Sequence, residues 1–216
     1  MKSFLVRTCA AVALTSLAAT GASAASIANG SFEDPITTDG PPFVGSWEGF
    51  NGGAGSQAAN STAMPRTGAQ SLALSIANTN DTFAGVFQDV TNLTPGTPVT
   101  LSGYHATPTN PLGVGVEFRI EWRNSAGNTE VSRTPNSTTV PTAAYSPFTL
   151  SSIVPAGADT ARVVYAIQSF GAEPGNTGVV YVDDVSFVPE PSAAALGFAT
   201  LGLSCLRRRR RTNPAR

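Results

Sequence analysis

The side chains of this chain that could carry chemistry are few, and most of them are carboxylates. His105 is the single histidine in 216 residues, so any histidine-dependent reaction would need it. It lies at the end of a predicted strand, which favours a structural role. Glu117 and Glu121 share one face of another predicted strand, where four extended residues separate their backbones by about 13 Å. Paired glycosidase carboxylates lie only ~5 to 9.5 Å apart, so we do not expect this pair to hydrolyse a glycoside.

The strand that carries these glutamates is the clearest in the sequence. From Val114 to Arg123 apolar and charged residues alternate, as in a sheet with one buried side. One face carries Val116, Phe118, Ile120 and Trp122, and the other Glu117, Arg119, Glu121 and Arg123. Further strands are predicted around residues 72–76, 83–90, 99–102, 145–153, 161–167 and 179–187, with Gly, Pro, Asn and Thr turns between them. We therefore predict an all-β fold, a single antiparallel β-sandwich over residues 25–187.

The N-terminal residues 1–24 have the pattern of a signal peptide. Lys2 and Arg7 precede an apolar run from Cys9 to Ala19, and the small residues Ala22, Ser23 and Ala24 follow. We expect signal peptidase to cleave after Ala24. The alternative, a permanent membrane anchor, is disfavoured because the apolar run is shorter than the ~20 residues of a span.

The C-terminal residues contain three segments in a fixed order. The sequence Pro189-Glu190-Pro191 precedes an apolar stretch from Ser192 to Leu206, and the arginines Arg207, Arg208, Arg209, Arg210 and Arg211 come directly after it. A helix of this length, about 22 Å, is shorter than a ~30 Å bilayer core, so we predict a temporary span. The arginine cluster acts as a cytoplasmic stop, which leaves 212–216 as a short cytoplasmic tail and places the sandwich outside.

This order of segments resembles the PEP-CTERM sorting signal of Gram-negative bacteria, here residues 188–211. The resemblance implies that an exosortase recognises Pro189, Glu190 and Pro191 and removes the tail, often in strains that make exopolysaccharide. It implies transient anchoring in the inner membrane and delivery to the cell envelope, the cell surface or the extracellular medium. Two prolines around a carboxylate also enforce an extended segment. The alternative is an ordinary tail anchor whose prolines only end the helix.

The charges are distributed unevenly. Eight of the 13 basic residues lie in the terminal segments, whereas all 14 acidic residues lie between 25 and 191, which gives that part a net charge of about −9 and no lysine. Binding to nucleic acid needs cations and is therefore not expected. The two cysteines, Cys9 and Cys205, lie in the terminal segments, so the sandwich contains no disulfide. No nucleophile elbow, phosphate loop or zinc-protease motif occurs, and we expect no catalysis.

Several short segments of the middle part, in their order along the chain, resemble the galactose-binding-like jelly-roll of carbohydrate-binding modules. They are Asn29-Gly30-Ser31-Phe32-Glu33, Gly68-Ala69-Gln70-Ser71-Leu72, Gln88-Asp89-Val90 followed by Leu93-Thr94-Pro95-Gly96, Ile120-Glu121-Trp122-Arg123-Asn124 and Tyr181-Val182-Asp183-Asp184-Val185-Ser186-Phe187. The resemblance covers most of residues 27–188. It implies two kinds of site, for calcium and for glycan.

The resemblance implies one structural Ca²⁺ that ties the first strand to the last. Its ligands would be Glu33, Asp183 and the Ser31 carbonyl, with Asp184 as a less favoured substitute. Asp183 has the parity of Val185 and Phe187, so we expect it to point inward, where an unpaired carboxylate is costly. Oxygen ligands of this kind suit a hard cation. The alternative is that these carboxylates are solvated strand ends.

A glycan site would need an apolar platform and polar groups for the sugar hydroxyls. The candidates are the aromatic residues Trp47, Phe50, Tyr104 and Tyr145 and the polar residues Gln88, Arg119 and Glu121, of which we select Trp47, Tyr104, Arg119 and Glu121 as the predicted contacts. We expect the Tyr104 ring beside Arg119 and Glu121 on one polar face, whereas Trp47, in a glycine-flanked segment, could be either packed or exposed. Two hypotheses follow: a noncatalytic surface or matrix protein associated with exopolysaccharide, or a binding module that recognises an extracellular glycan.

Overall fold

The computed structural model describes residues 25–76, 82–108, 114–169 and 177–190, which form ten β-strands and no helix. The strands are β1 (Glu48–Gly52), β2 (Gln57–Ser61), β3 (Ser71–Ile76), β4 (Phe83–Val90), β5 (Pro98–Ala106), β6 (Val114–Asn124), β7 (Thr129–Arg133), β8 (Ser146–Ile153), β9 (Thr160–Ser169) and β10 (Gly178–Pro189). Within these ranges no helix is long and apolar enough to cross a membrane.

The strands form two five-stranded sheets. Sheet A has the order β1-β4-β9-β6-β7 and sheet B the order β2-β3-β10-β5-β8, and neighbouring strands are antiparallel. The predicted antiparallel β-sandwich is therefore confirmed. The predicted signal peptide with Ala24, the C-terminal helix, Pro191 and the arginine cluster lie outside the described residues.

The core lies between the two sheets and follows the predicted alternation of β6. Phe118 and Ile120 are fully buried, and the Phe118 ring stacks on Tyr165 of β9 with centroids 6.1 Å apart. Burying each such side chain contributes roughly 1.5–3 kcal/mol. The outward residues of the same strand are thereby fixed on the opposite side of sheet A.

Trp47 belongs to this core. Its side chain is 1% exposed and stacks on Phe32 at 5.2 Å, and its ring N–H donates to the Asn29 carbonyl at 2.9 Å. A buried tryptophan needs such a partner for its single donor. The prediction that Trp47 contacts a glycan is therefore wrong, because the residue has no surface to offer.

A β-bulge in β10 changes the predicted orientation of Asp183. Asp183 pairs with Tyr104, whereas Ser186 pairs with Ser102, so one extra residue lies in β10, and Asp184 has a φ of 52°. Residues directly opposite each other share a face. Asp183 is thus on the outer face of sheet B with Tyr104, and the prediction that it points into the core is wrong.

Candidate functional site

The outer face of sheet A carries an aromatic strip formed by Phe43, Phe50, Phe83 and Phe87. The Phe50 ring lies 6.2 Å from Phe83 and 6.4 Å from Phe87, measured between centroids, and Phe43 packs edge-on against Phe87 at 5.1 Å. Phe83 is 40% exposed. The other three rings are partly exposed, so the strip is a contiguous aromatic surface, and contiguous apolar surface of this kind is a feature of binding faces.

Two glycines allow the rings of the strip to lie close to the sheet. Phe50 pairs with Gly85 and Gly52 pairs with Phe83, so each ring has a glycine directly opposite it. A Cβ added to either glycine would come within 2.4 Å of the facing ring. Each ring therefore occupies the space above its partner glycine and lies close to the backbone of the neighbouring strand.

A row of paired charges lies on the same face, on β6. Arg119 bonds to Glu117 through Nη1 at 2.5 Å and to Glu121 through Nε at 2.9 Å. Arg123 lies 3.6 Å from Glu121, and the Asn136 amide donates to Glu117 at 2.5 Å. The structure thus brings the predicted glycan contacts Arg119 and Glu121 together, but each is bound to the other. We call Glu117, Arg119 and Glu121 the ion-pair row.

Arg162 of β9 connects the strip to the ion-pair row, since β9 lies between β4 and β6. Its Nε and Nη2 each donate to the Asp89 carboxylate at 2.8 Å, and its guanidinium lies 4.1 Å from the Phe87 ring centroid. The bonds to Asp89 raise the pKa of Arg162 above its usual value. This bidentate bond fixes a flat cation against the edge of the strip.

A pocket of about 180 Å³ opens beside this pair. It is lined by Pro42, Phe43, Gly45, Ser46, Glu48, Phe87, Gln88 and Asp89. Its wall is the segment before β1, which the buried Glu48 holds by accepting from the Gly40 amide at 2.8 Å and from the Thr37 hydroxyl at 3.1 Å. The strip therefore ends in a concave, mixed polar and apolar site.

Tyr104 does not belong to this face. It lies on β5 of sheet B, whereas Arg119 and Glu121 lie on β6 of sheet A, so they are on opposite outer faces. The Arg66 guanidinium covers the Tyr104 ring, 3.4 Å from its centroid. The predicted grouping of Tyr104 with Arg119 and Glu121 is wrong, because strand parity gives the side of a sheet but not which sheet a strand joins.

The carboxylates predicted to hold calcium bind backbone amides instead. Asp183 is fully buried and accepts from the amides of Arg66 at 2.8 Å, Thr67 at 3.2 Å and Asp184 at 2.7 Å. Burial raises the pKa of the Asp183 carboxyl, and the three amides oppose that rise. Both of its oxygens are therefore satisfied without a cation.

Asp183 binds one end of the loop that precedes β3, at residues 66 and 67, and Glu33 binds the other end, at residues 69 and 70. Its Oε1 accepts from the amides of Ala69 at 2.9 Å and Gln70 at 3.1 Å. Among the described residues, no group of three or more His, Cys, Asp or Glu side chains is placed to hold a metal. The donor set Ser31, Glu33 and Asp183 thus fits calcium only in part, and the calcium site stays a prediction that rests on the resemblance.

His105 is fully buried between the sheets, with its Nδ1 2.7 Å from the Tyr165 hydroxyl. Burial lowers its pKa to about 4, so the ring is neutral at physiological pH. No ligand on either outer face reaches this imidazole.

Sequence reasoning missed the residues that make the aromatic strip and its edge, namely Phe43, Phe83, Phe87, Asp89 and Arg162. The strip on β4 had a signal, because the run Phe83-Ala84-Gly85-Val86-Phe87 places both rings and the glycine on one side of a strand. Phe43 had none, since it lies before β1 in a Pro- and Gly-rich segment without periodicity.

No family model and no curated protein matches this sequence. Solved structures match the fold. A CBM4 module is 20% identical with a TM-score of 0.51, over 76% of this chain and 99% of that one. The tandem CBM22-1–CBM22-2 domain of Xyn10C from Paenibacillus barcinonensis is 16% identical with a TM-score of 0.52, over 78% and 46% of the two chains.

The enzymatically active domain of tailspike protein 4 from bacteriophage CBA120 is also similar, at 16% identity and a TM-score of 0.59. The match covers 76% of this chain but only 21% of the tailspike chain. At these identities the likeness shows the fold alone. The fold is that of the carbohydrate-binding-module β-sandwiches, in agreement with the predicted galactose-binding-like architecture.

Proposed function

We propose that the sandwich is a noncatalytic module that binds a neutral extracellular polysaccharide on the outer face of sheet A. The observation that carries the proposal is the pairing of Phe50 with Gly85 and of Phe83 with Gly52. Rings that lie over glycines offer a broad apolar surface, and a pyranose presents a matching face of C–H groups. Such a platform with a few fixed polar groups is the usual composition of a ligand site.

The charges of this face favour a neutral ligand over an anionic one. Arg119 is matched by Glu117 and Glu121, and Arg162 by Asp89, so neither cation needs an external anion. The acidic residues of the exported part would also repel a polyanion. The paired groups can still donate and accept hydrogen bonds at the rim, where they are rigidly placed.

The same pairing argues against hydrolysis. Glu117 and Glu121 lie on either side of Arg119 and both accept hydrogen bonds from it, so neither carboxylate is free to act as the general acid or the nucleophile that a glycosidase needs. The solved structures of this fold include both carbohydrate-binding modules and enzymes, so this inference rests on the site residues.

The proposal is tested by binding of the exported protein to a panel of neutral and acidic polysaccharides. We expect retention on a neutral polysaccharide, at least a tenfold loss in the double variant Phe50→Ala/Phe83→Ala, and wild-type binding in Tyr104→Ala. The Tyr104 variant is the matched control, since it removes a ring from the opposite sheet. Equal binding of the double variant and the wild type, or no binding to any neutral polysaccharide, would contradict the proposal.

We further propose that the terminal segments deliver this module to the cell surface or matrix, where its ligand is an exopolysaccharide. Signal peptidase would remove residues 1–24, and the C-terminal helix would hold the protein transiently in the inner membrane. An exosortase would then act at Pro189-Glu190-Pro191. The support is the order of the three C-terminal segments and their position directly after the last strand.

A further inference from the structure

Glu190, the centre of the Pro-Glu-Pro motif, is bound to sheet B. Its amide donates to the Pro98 carbonyl at 2.9 Å, and its Oε1 accepts from the Thr100 hydroxyl at 3.0 Å. Thr100 Oγ1 also lies 3.1 Å from Ser151 Oγ on β8. β10 itself continues through Val188 and Pro189, so the strand enters the segment predicted to be the sorting signal.

The two prolines make these contacts decisive. Proline has no amide hydrogen, so Glu190 supplies the only backbone donor of the motif. Pro189 is paired with Val99 at the end of the β10–β5 ladder. The one backbone donor and the one charged side chain of the motif are therefore both engaged by β5.

An enzyme that takes an extended peptide as an added strand uses the same backbone groups that a neighbouring strand uses. The Glu190 amide cannot donate to Pro98 and to an enzyme at once. We propose that β5 docks the motif, so that removal of the tail requires the end of β10 to detach from the folded domain first. This inference rests on the sorting function proposed above.

The docking slows processing but does not prevent it. Terminal strand residues open locally at low free-energy cost compared with the core, and Glu190 is exposed. Removing the Thr100 hydroxyl removes one solvent-exposed hydrogen bond, whose usual net contribution corresponds to about a two- to tenfold shift in the opening equilibrium. Processing should accelerate by the same factor if opening is rapid.

The test compares the full-length wild type with Thr100→Val and Ser102→Ala in pulse-chase experiments in the native cells, with tail removal followed by mass. Ser102 is the matched control, because it lies on the same face of β5 and pairs with Ser186 rather than with the motif. We expect tail removal about two- to tenfold faster in Thr100→Val and unchanged in Ser102→Ala. Hydrogen exchange of the full-length protein should show a protected Glu190 amide that exchanges faster in Thr100→Val.

The outcomes separate the two proposals. Equal or slower tail removal in Thr100→Val, or an unprotected Glu190 amide in the wild type, would overturn the docking inference and leave sorting intact. A wild type whose tail is never removed would overturn the sorting function, and the docking inference with it. Similar thermal midpoints for both variants exclude a general loss of stability as the cause.

Discussion

Phe50 lies over Gly85, its register partner on β4, so closely that a Cβ at position 85 would come within 2.4 Å of the ring. The relation between Phe83 and Gly52 is the same, with the strands exchanged. The two pairs are adjacent along β1 and β4, so ring and glycine alternate across the ladder. The aromatic strip therefore depends on the two glycines as much as on the rings.

Replacing Gly52 with alanine should weaken glycan binding without unfolding the domain. The three atoms nearest to the new Cβ belong to the Phe83 ring, which can rotate away at the surface. We expect a two- to tenfold loss of affinity, about the strength of one aromatic contact, with little change in stability. Isothermal titration against the polysaccharide identified in the binding panel measures it.

Gly127→Ala is the control for this variant, because a Cβ there meets nothing closer than Thr129 at 3.5 Å. If Gly52→Ala bound the polysaccharide as tightly as the wild type, the aromatic strip would not be the glycan-binding surface.

Acid should destabilise the domain through His105. Burial lowers its folded pKa to about 4 from 6.5, so the unfolded chain takes up a proton that the folded chain refuses. Stability is therefore fully present above pH 6.5 and falls as the pH drops toward about 4. The loss attributable to this residue is about 3 kcal/mol.

Urea unfolding of the wild type and of His105→Gln across this pH range isolates that contribution. Asp183, whose pKa is raised by burial, contributes with the opposite sign, but it is common to both proteins and cancels in the difference. We expect a shallower acid loss in the variant. Parallel pH profiles would show that the imidazole does not titrate in this way.

The fold was predictable because the sequence of β6 shows which of its residues face the core. Its alternation places Phe118 and Ile120 inside and Arg119 outside, and the structure agrees. Composition and turn spacing extended the same logic to the other strands. Local periodicity does not show which strands share a sheet. Tyr104 and Arg119 both point outward but belong to different sheets, so they lie on opposite faces of the sandwich and the predicted grouping failed.

The errors at Asp183 and Trp47 have different physical causes. The bulge in β10 places Asp183 and Val185 on opposite faces of the sheet, and no residue type in this segment predicts a bulge. Trp47 lies before β1, where burial depends on the distant Phe32 and on an acceptor at Asn29. The aromatic strip was not predicted for a third reason: its rings come from the segment before β1, from β1 and from β4, which are separate in the sequence.

Calcium should raise the thermal midpoint of the domain if the structural ion exists. Glu33 has the carboxylate oxygen best suited to a ligand, since its Oε2 accepts no hydrogen bond from the described residues while Oε1 binds two amides. We expect a higher midpoint with millimolar calcium, a lower one with chelator, and no response in Glu33→Gln, which keeps an amide-accepting oxygen. An unchanged midpoint in the wild type under both conditions would refute the predicted calcium site.

Truncation after Glu190 separates delivery from binding. It removes the predicted C-terminal helix and the arginine cluster but keeps β10 and its contacts to Pro98 and Thr100, whereas a deletion from Pro189 onward would also remove the end of the strand. We expect the truncated protein to remain in the periplasm or appear in the medium, and to bind its polysaccharide with wild-type affinity. Fractionation and immunoblotting locate it. Retention at the cell surface equal to the wild type would refute the sorting role, while lost polysaccharide binding would show that the C-terminal residues, and not sheet A alone, form the glycan site.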